Sequence, residues 1–141
     1  MATHGVKELR LVVTTADFDA AVHLYRDVLG MPEIPVASSP GRIAILEAGR
    51  ATIELADPDH AAYVDEVEVG RRVAGHVRVA LGVEDVDTAT QDALAAGAEL
   101  IAAPTETPWG SWNARLEGSA GLQLTLFGPL PGHLSEVDEE G

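Results

Sequence analysis

The feature that most constrains this chain is an internal repeat. Arg10–Asp19, RLVVTTADFD, has a near twin sixty-eight residues later in Arg78–Asp87, RVALGVEDVD. Each copy alternates like a strand, reaches Asp-x-Asp, and runs into an apolar-periodic helix. Arg10 and Arg78 stand seven residues before Asp17 and Asp85 respectively. Further short strands follow each helix, and the third of these carries Glu54 in the first copy and Thr125 in the second. Two copies of one supersecondary unit share a core, so the repeat sets the architecture before any single residue is weighed.

The first copy starts after a loose end over residues 1–6. Lys7 to Thr15 alternates, with Arg10, Val12 and Thr14 on one face and Leu9, Leu11, Val13 and Thr15 on the other. Asp17 is a suitable N-cap, and Asp19 suits the positive end of the helix dipole. Phe18, Ala21, Val22, Tyr25, Val28 and Leu29 then recur at helical spacing, with Gly30 as the left-handed stop and Pro32 beyond it. Strands are predicted near 33–37, 42–47 and 51–56, separated by Ser-Ser-Pro-Gly and Ala-Gly-Arg turns. The polar stretch 58–74 reads as a linker with at most one helical turn around 61–67.

The second copy repeats the plan. In 76–83, His76, Arg78, Ala80 and Gly82 share one face and Val77, Val79, Leu81 and Val83 the other. The branched face is predicted to be the buried one, under the helix that follows. That helix is capped by Asp85, carries Val86, Ala89, Ala93 and Leu94, and stops at Gly97. Strands are predicted near 99–103, 111–116 and 122–127. The single domain therefore divides into a first module over about 6–57, the linker 58–74, a second module over 75–129 and an acidic tail, 130–141.

Composition removes several function classes. The absence of cysteine leaves no disulfide framework, thiolate metal site or cysteine nucleophile. No apolar run approaches a membrane span, and the N-terminus lacks the layout of a signal peptide, so a cytoplasmic protein is expected. A net charge of −14, with one lysine, Lys7, repels phosphate backbones and argues against nucleic acid as a partner.

One face of each sheet takes the helix, and the other must curl around something. On that second face fall Arg10, Thr52, Glu54, His76, Arg78, Gln123, Thr125 and Phe127 among alanine, glycine and valine. Polar groups among very small ones suit a cavity lining better than a packed core. Long charged side chains seldom go fully buried alone, so Arg10, Glu54 and Arg78 pair with each other or with a ligand.

VVTTADFDAAVHLYRDVLGM in the first half resembles the vicinal oxygen chelate superfamily of glyoxalases, extradiol dioxygenases, fosfomycin-modifying enzymes and bleomycin resistance proteins. So do GHVRVALGVEDVDTATQDALAAGAEL and TPWGSWNARLEGSAGLQLTLFGP in the second half. The resemblance implies an α+β fold of two βαβββ modules whose sheets form U-shaped clefts, usually in a homodimer. It also implies a metal site made by a His on each first strand and a carboxylate on each fourth. Here those places hold Arg10, Glu54, Arg78 and Thr125. Guanidinium has no lone pair to donate, so a metal-free member without a cofactor is expected. A two-residue slip would substitute Glu8 and His76, but it breaks the match to the helix caps.

Three readings of the cleft follow. A binding protein would sequester a small, partly aromatic compound as bleomycin-type resistance proteins do, an antibiotic-resistance role. Trp109 and Trp112 would stack on that compound, and Arg10, Arg78, Glu54, His76, Thr125 and Phe127 would line it. An enzyme of lyase, isomerase or dioxygenase type would depend on Glu54 as its acid–base group. A carboxylate clamped between two arginines is held below the range a general base wants, which weighs against that reading. Finally, Arg10, Glu54 and Arg78 could form an ionic cluster that merely replaces a metal.

Overall fold

The computed structural model describes residues 5–28, 30–49, 51–118 and 122–132. Strand β1, Glu8–Thr14, leads into a short helix α1, Phe18–Val22, and then a π-helical stretch, His23–Val28. Strands β2, Glu33–Ile34, β3, Ile43–Ala48, and β4, Ala51–Ala56, complete the first module. Helix α2, Pro58–Glu68, joins it to the second module. That module is β5, Val77–Gly82, helix α3, Val86–Ala95, and strands β6, Glu99–Glu106, β7, Trp112–Glu117, and β8, Gln123–Gly128.

The predicted caps are in place. Asp17 Oδ1 accepts from the Ala20 N–H at 3.2 Å, and Asp85 Oδ1 from the Thr88 N–H at 3.0 Å. Both Gly30 and Gly97 hold positive φ, +77° and +110°, where each helix must stop. The continuous α-helix expected from 18 to 29 is instead five α residues followed by a π turn, with the Met31 N–H reaching back to the Tyr25 carbonyl at 3.0 Å. Leu29 lies outside the described residues, as does the acidic tail from 133 onward.

The strand order is β2-β3-β4-β1-β5-β8-β7-β6, one continuous sheet of eight. Within the modules β1 runs parallel to β4 and β5 parallel to β8; at the centre β1 and β5 pair antiparallel, Leu11 opposite Val79. The two halves of the cleft thus come from one chain. Strand β6 runs longer than predicted, through Pro104, which an edge strand tolerates because it has no neighbour to receive a donor.

Two expectations are corrected here. The stretch read as a linker contains the longest helix among the described residues, capped by Asp57 (Oδ1 to the His60 N–H, 2.8 Å) with Pro58 in its first turn. Its buried side is His60, Ala61, Val64, Asp65 and Glu68. That is a helical face, yet more than half of it is polar, so apolar periodicity cannot reveal it. Gly41 packs against its first turn, where a Cβ would collide with the His60 backbone.

The second correction concerns β5. Arg78, Ala80 and Gly82 are buried. Of the branched face, Val77 is 38% exposed, Val79 and Leu81 are half-buried, and only Val83, just past the strand, is buried in the α3 core as expected. Helix α3 lies over β6, β7 and β8, and α1 against β4. The β1–β5 seam between them is covered only at its flanks, where Val13 packs on the α1 core and Leu81 on the α3 core. The two apolar cores follow the helices: Val83, Val86, Ala89, Ala114, Leu116 and Leu126 under α3, and Phe18, Val22, Ala44, Leu46 and Leu55 under α1.

Candidate active site

The opposite, concave face of the sheet encloses a cleft of about 480 Å³, a size that suits a small organic ligand. Arg10, Glu54, Arg78, Thr125 and Phe127, expected on this face from the alternation of their strands, all line it. The three charged groups do not form a triad. Arg10 gives Nη2–H to Glu8 at 2.8 Å and Nε–H to Thr52 Oγ1 at 3.2 Å, and its Cζ sits 5.2 Å from the Phe127 ring centre. Its Nη1 is 3.6 Å from Glu54 Oε1, an ion pair without a hydrogen bond. Arg78 donates from Nη1 to Thr125 Oγ1 at 2.8 Å, and no carboxylate among the described residues pairs with it.

Glu54 is therefore unusual. It is only 7% exposed, and its carboxylate makes no hydrogen bond to any described residue. Its oxygens are not sealed in either, since among the described residues the sole enclosed side-chain nitrogen or oxygen without a partner is Thr90 Oγ1. Glu54 itself lines the cleft. The Arg78 nitrogens that Thr125 does not use are likewise not sealed in. Burial pushes the Arg78 guanidinium below its usual value, while nearby Glu68 and Glu54 pull the other way and Arg115 adds to the lowering.

Helix α2 and β7 supply a part of the site that the sequence reading missed. Arg115, fully buried, donates to Glu68 Oε1 from Nε (3.1 Å) and Nη2 (2.8 Å), and to Asp65 Oδ1 and Gln123 Oε1 from Nη1, both at 2.7 Å. Asn113 Nδ2 donates to Glu68 Oε2 at 2.8 Å. Asp65 Oδ2 also accepts from Arg72 at 2.6 Å and from the Val73 and Ala74 N–H groups at 2.8 and 2.9 Å. Burial alone would raise the Asp65 carboxyl, but these donors, the Ala74 N–H and Arg115 foremost, hold it below the usual aspartate range. This satisfied network places Glu68, Val64, Tyr63 and His60 along one wall of the cleft. The signal was the alternation of WNARLE, which puts Asn113 and Arg115 opposite Trp112, Ala114 and Leu116.

Two candidates fall elsewhere. Trp112 is on the helix side of β7, packed against the α3 core, and its Nε1–H donates to Asp87 at 2.8 Å. The strand's period of two separates it from Trp109, which precedes β7 in a turn and does line the cleft. His76 lies exposed before β5 begins, its carbonyl accepting the Thr14 N–H at 2.9 Å, and its ring is outside the cleft. A second groove of about 540 Å³ beside α1 contains Arg26 and Arg42, but Glu33 and Asp19 already hold these at 2.7 and 2.6 Å.

Arg10, Glu54, Arg78 and Thr125 occupy the two inner parallel strand pairs, as the places of a family metal site require. Their donor set does not fit a divalent cation: two of the four are guanidinium groups, and Thr125 is engaged by Arg78. Among the described residues no three His, Asp or Glu side chains converge on one point.

Known proteins of the same shape bear this architecture out. A methylmalonyl-CoA epimerase from Mycobacterium tuberculosis is 22% identical with a TM-score of 0.67, covering 96% of each chain. A variant of 4-hydroxymandelate synthase from Streptomyces coelicolor is 24% identical with a TM-score of 0.58; 93% of this chain matches 43% of that one. A glyoxalase/bleomycin resistance protein/dioxygenase superfamily member from Vibrio splendidus is 12% identical with a TM-score of 0.57, over 85% of this chain and 97% of that one. No curated protein is significantly similar in sequence. The family model of the Glyoxalase/Bleomycin resistance protein/Dioxygenase superfamily matches residues 9–126. With two βαβββ modules paired through β1 and β5 around one cleft, the chain belongs to the glyoxalase/bleomycin resistance protein/dioxygenase superfamily.

Proposed function

We propose that the chain is an enzyme that moves a proton on a small oxygen-bearing organic substrate, a reaction of isomerase or lyase type, with Glu54 as the proton-transferring group. One observation carries this reading: Glu54 is buried at the cleft wall, its carboxylate is free of hydrogen bonds to described residues, and it shares the cleft with the open side of Arg78. The clamp between two arginines that weighed against Glu54 is loose: Arg10 gives its hydrogen bonds to Glu8 and Thr52 and meets Glu54 only as a 3.6 Å ion pair. In the proposed step the Glu54 carboxylate takes a proton from carbon next to a carbonyl. The C–H electron pair moves into the carbon–carbon bond and the carbonyl pair onto oxygen, where Arg78 donates to the enolate. Protonation of the other face by water, with Glu54 releasing its proton to solvent, isomerises the substrate; loss of a β-leaving group makes the reaction a lyase step. The fold shared with an epimerase and a synthase, both enzymes by name, is in keeping with this.

The test is exchange of carbon-bound hydrogen in heavy water, followed by proton NMR across a panel of small ketones, thioesters and esters. Wild-type protein should speed exchange of at least one, and Glu54→Gln should cut that rate ~10²–10⁴-fold, the usual worth of a general base. Equal rates in the two proteins would overturn the proposal. A second reading, sequestration of a small aromatic compound, is favoured by the aromatic contact of Tyr63 with Trp109, ring centres 6.1 Å apart. Tight binding without exchange would select it.

A further inference from the structure

Building on the proton-transfer reading, we infer that the substrate is an uncharged carbonyl compound carrying a flat, ring-sized apolar group. Charge balance gives the first half of this. Four guanidinium groups, Arg10, Arg72, Arg78 and Arg115, meet four carboxylates, Glu8, Glu54, Asp65 and Glu68, in and directly behind the cleft. His60 does not alter the sum when neutral, giving Nδ1–H to the Pro40 carbonyl at 2.8 Å. The cleft is thus neutral before anything enters. A neutral substrate keeps it so through the reaction, because the proton gained by Glu54 cancels the charge that develops beside Arg78. A carboxylate ligand would add a negative charge to a partly desolvated site in a chain already at −14.

The mouth gives the second half. Trp109 is 46% exposed, yet its turn is built rigidly. Thr107 is buried and its Oγ1 accepts the Ser111 N–H at 3.1 Å. The Thr107 N–H donates to the Ser111 carbonyl at 2.9 Å, and Gly110 takes the positive φ, +87°, that closes the turn. Tyr63 braces the indole from α2, its ring tilted 51° to it, and is itself in contact with the His60 ring at 5.8 Å. Ile34, Val36, Ile43 and Ile45 form the facing wall. An indole set by this bonded turn and still 46% exposed, in the same cleft as a branched aliphatic wall, suits a planar ring. The polar groups lie deeper, at Glu54 and Arg78.

The experiment compares phenylacetone, phenylacetate, cyclohexylacetone and acetone on one chain. Trp112→Phe leaves Trp109 as the sole tryptophan, so saturable quenching reports the mouth directly. Ligand-observed NMR on the unaltered chain reads the same order without any replacement. Phenylacetone should bind tightest, ahead of phenylacetate by about tenfold or more, a margin worth about 1.4 kcal/mol. Cyclohexylacetone and acetone should be weaker. Glu54→Gln removes one negative charge and should reverse the preference, so that phenylacetate overtakes phenylacetone. Equal or better binding of phenylacetate to wild type, equal binding of the cyclohexyl compound, or no binding by any of the four would overturn the inference. Failure of phenylacetone to exchange its hydrogens while this order holds would overturn the proton-transfer reading and leave the binding preference standing.

Discussion

Arg115 donates from Nη1 to Asp65 Oδ1 at 2.7 Å, with both side chains sealed from solvent, and the contact ties β7 to α2. Removing the arginine leaves Asp65 and Glu68 as buried carboxylates with fewer donors. Arg115→Met should therefore cost about 3–5 kcal/mol in urea unfolding, the range for breaking a buried pair from one side. Replacing Asp65 and Glu68 as well, with asparagine and glutamine, should recover part of the loss. A single-variant cost under about 1 kcal/mol would mean that packing, not the network, holds α2 in place.

The same network sets the response to acid. The Asp65 carboxyl sits below its ordinary value of 3.8 in the folded chain. A depressed folded pKa gives stability that is fully present above the unfolded value and is lost as pH falls through the folded one. The unfolding free energy should thus carry this group's full contribution, independent of pH, near neutrality and lose it from about pH 4 downward. Asp65→Asn should flatten that decline, measured as the urea midpoint from pH 6 to 3. An unchanged acid slope would show that other carboxylates govern it.

How much of this was legible in the sequence depends on what kind of signal each residue carries. The repeat around Arg10 and Arg78, the Asp17 and Asp85 caps and the Gly97 stop are local chemistry, and the structure has them where the spacing put them. The eight-stranded α+β fold followed from them. Helix α2 was missed because its inward face mixes Ala61 and Val64 with His60, Asp65 and Glu68, and the two carboxylates find their partner in Arg115, forty-seven residues beyond Glu68. No window along the chain contains both partners. Asp57-Pro58 was a helix start in plain view, but the acidity around it read as solvated loop. Trp112 departs for a different reason: the strand's period of two sends it to the α3 side despite its nearness to Trp109 in sequence.

Thr90 presents a smaller test. Its hydroxyl is the one enclosed side-chain polar atom without a partner among the described residues, on α3 at 2% exposure. An unpaired buried hydroxyl carries a desolvation cost that an isosteric methyl does not. Thr90→Val should stabilise the protein by about 1 kcal/mol in thermal or urea unfolding, whereas Thr90→Ser, which keeps the hydroxyl, should not. A loss of stability with valine would place an ordered water or a second conformation at that oxygen.

The last prediction concerns the homodimer proposed from the sequence. The β1–β5 seam leaves its helix-side face only partly covered, and the registers Leu9–Leu81, Leu11–Val79 and Val13–Val77 set six aliphatic side chains into one stripe there, of which Leu81 and Val13 reach the neighbouring cores. Leu9 is 45% and Val77 38% exposed at its two ends, with the middle pair half-buried. A contiguous apolar stripe on a chain of net charge −14 is a surface that favours contact with a second copy of itself. Because the sheet already closes the cleft within one chain, pairing across this stripe would leave both clefts open to ligand. Light scattering at micromolar concentration should return twice 14.8 kDa. Val79→Glu places a charge at the middle of the stripe without touching the cleft face of β5, and should shift the protein to monomer with phenylacetone binding retained. A monomeric wild type would remove the dimer from the account. A dimer indifferent to Val79→Glu would move its interface to another face of the sheet.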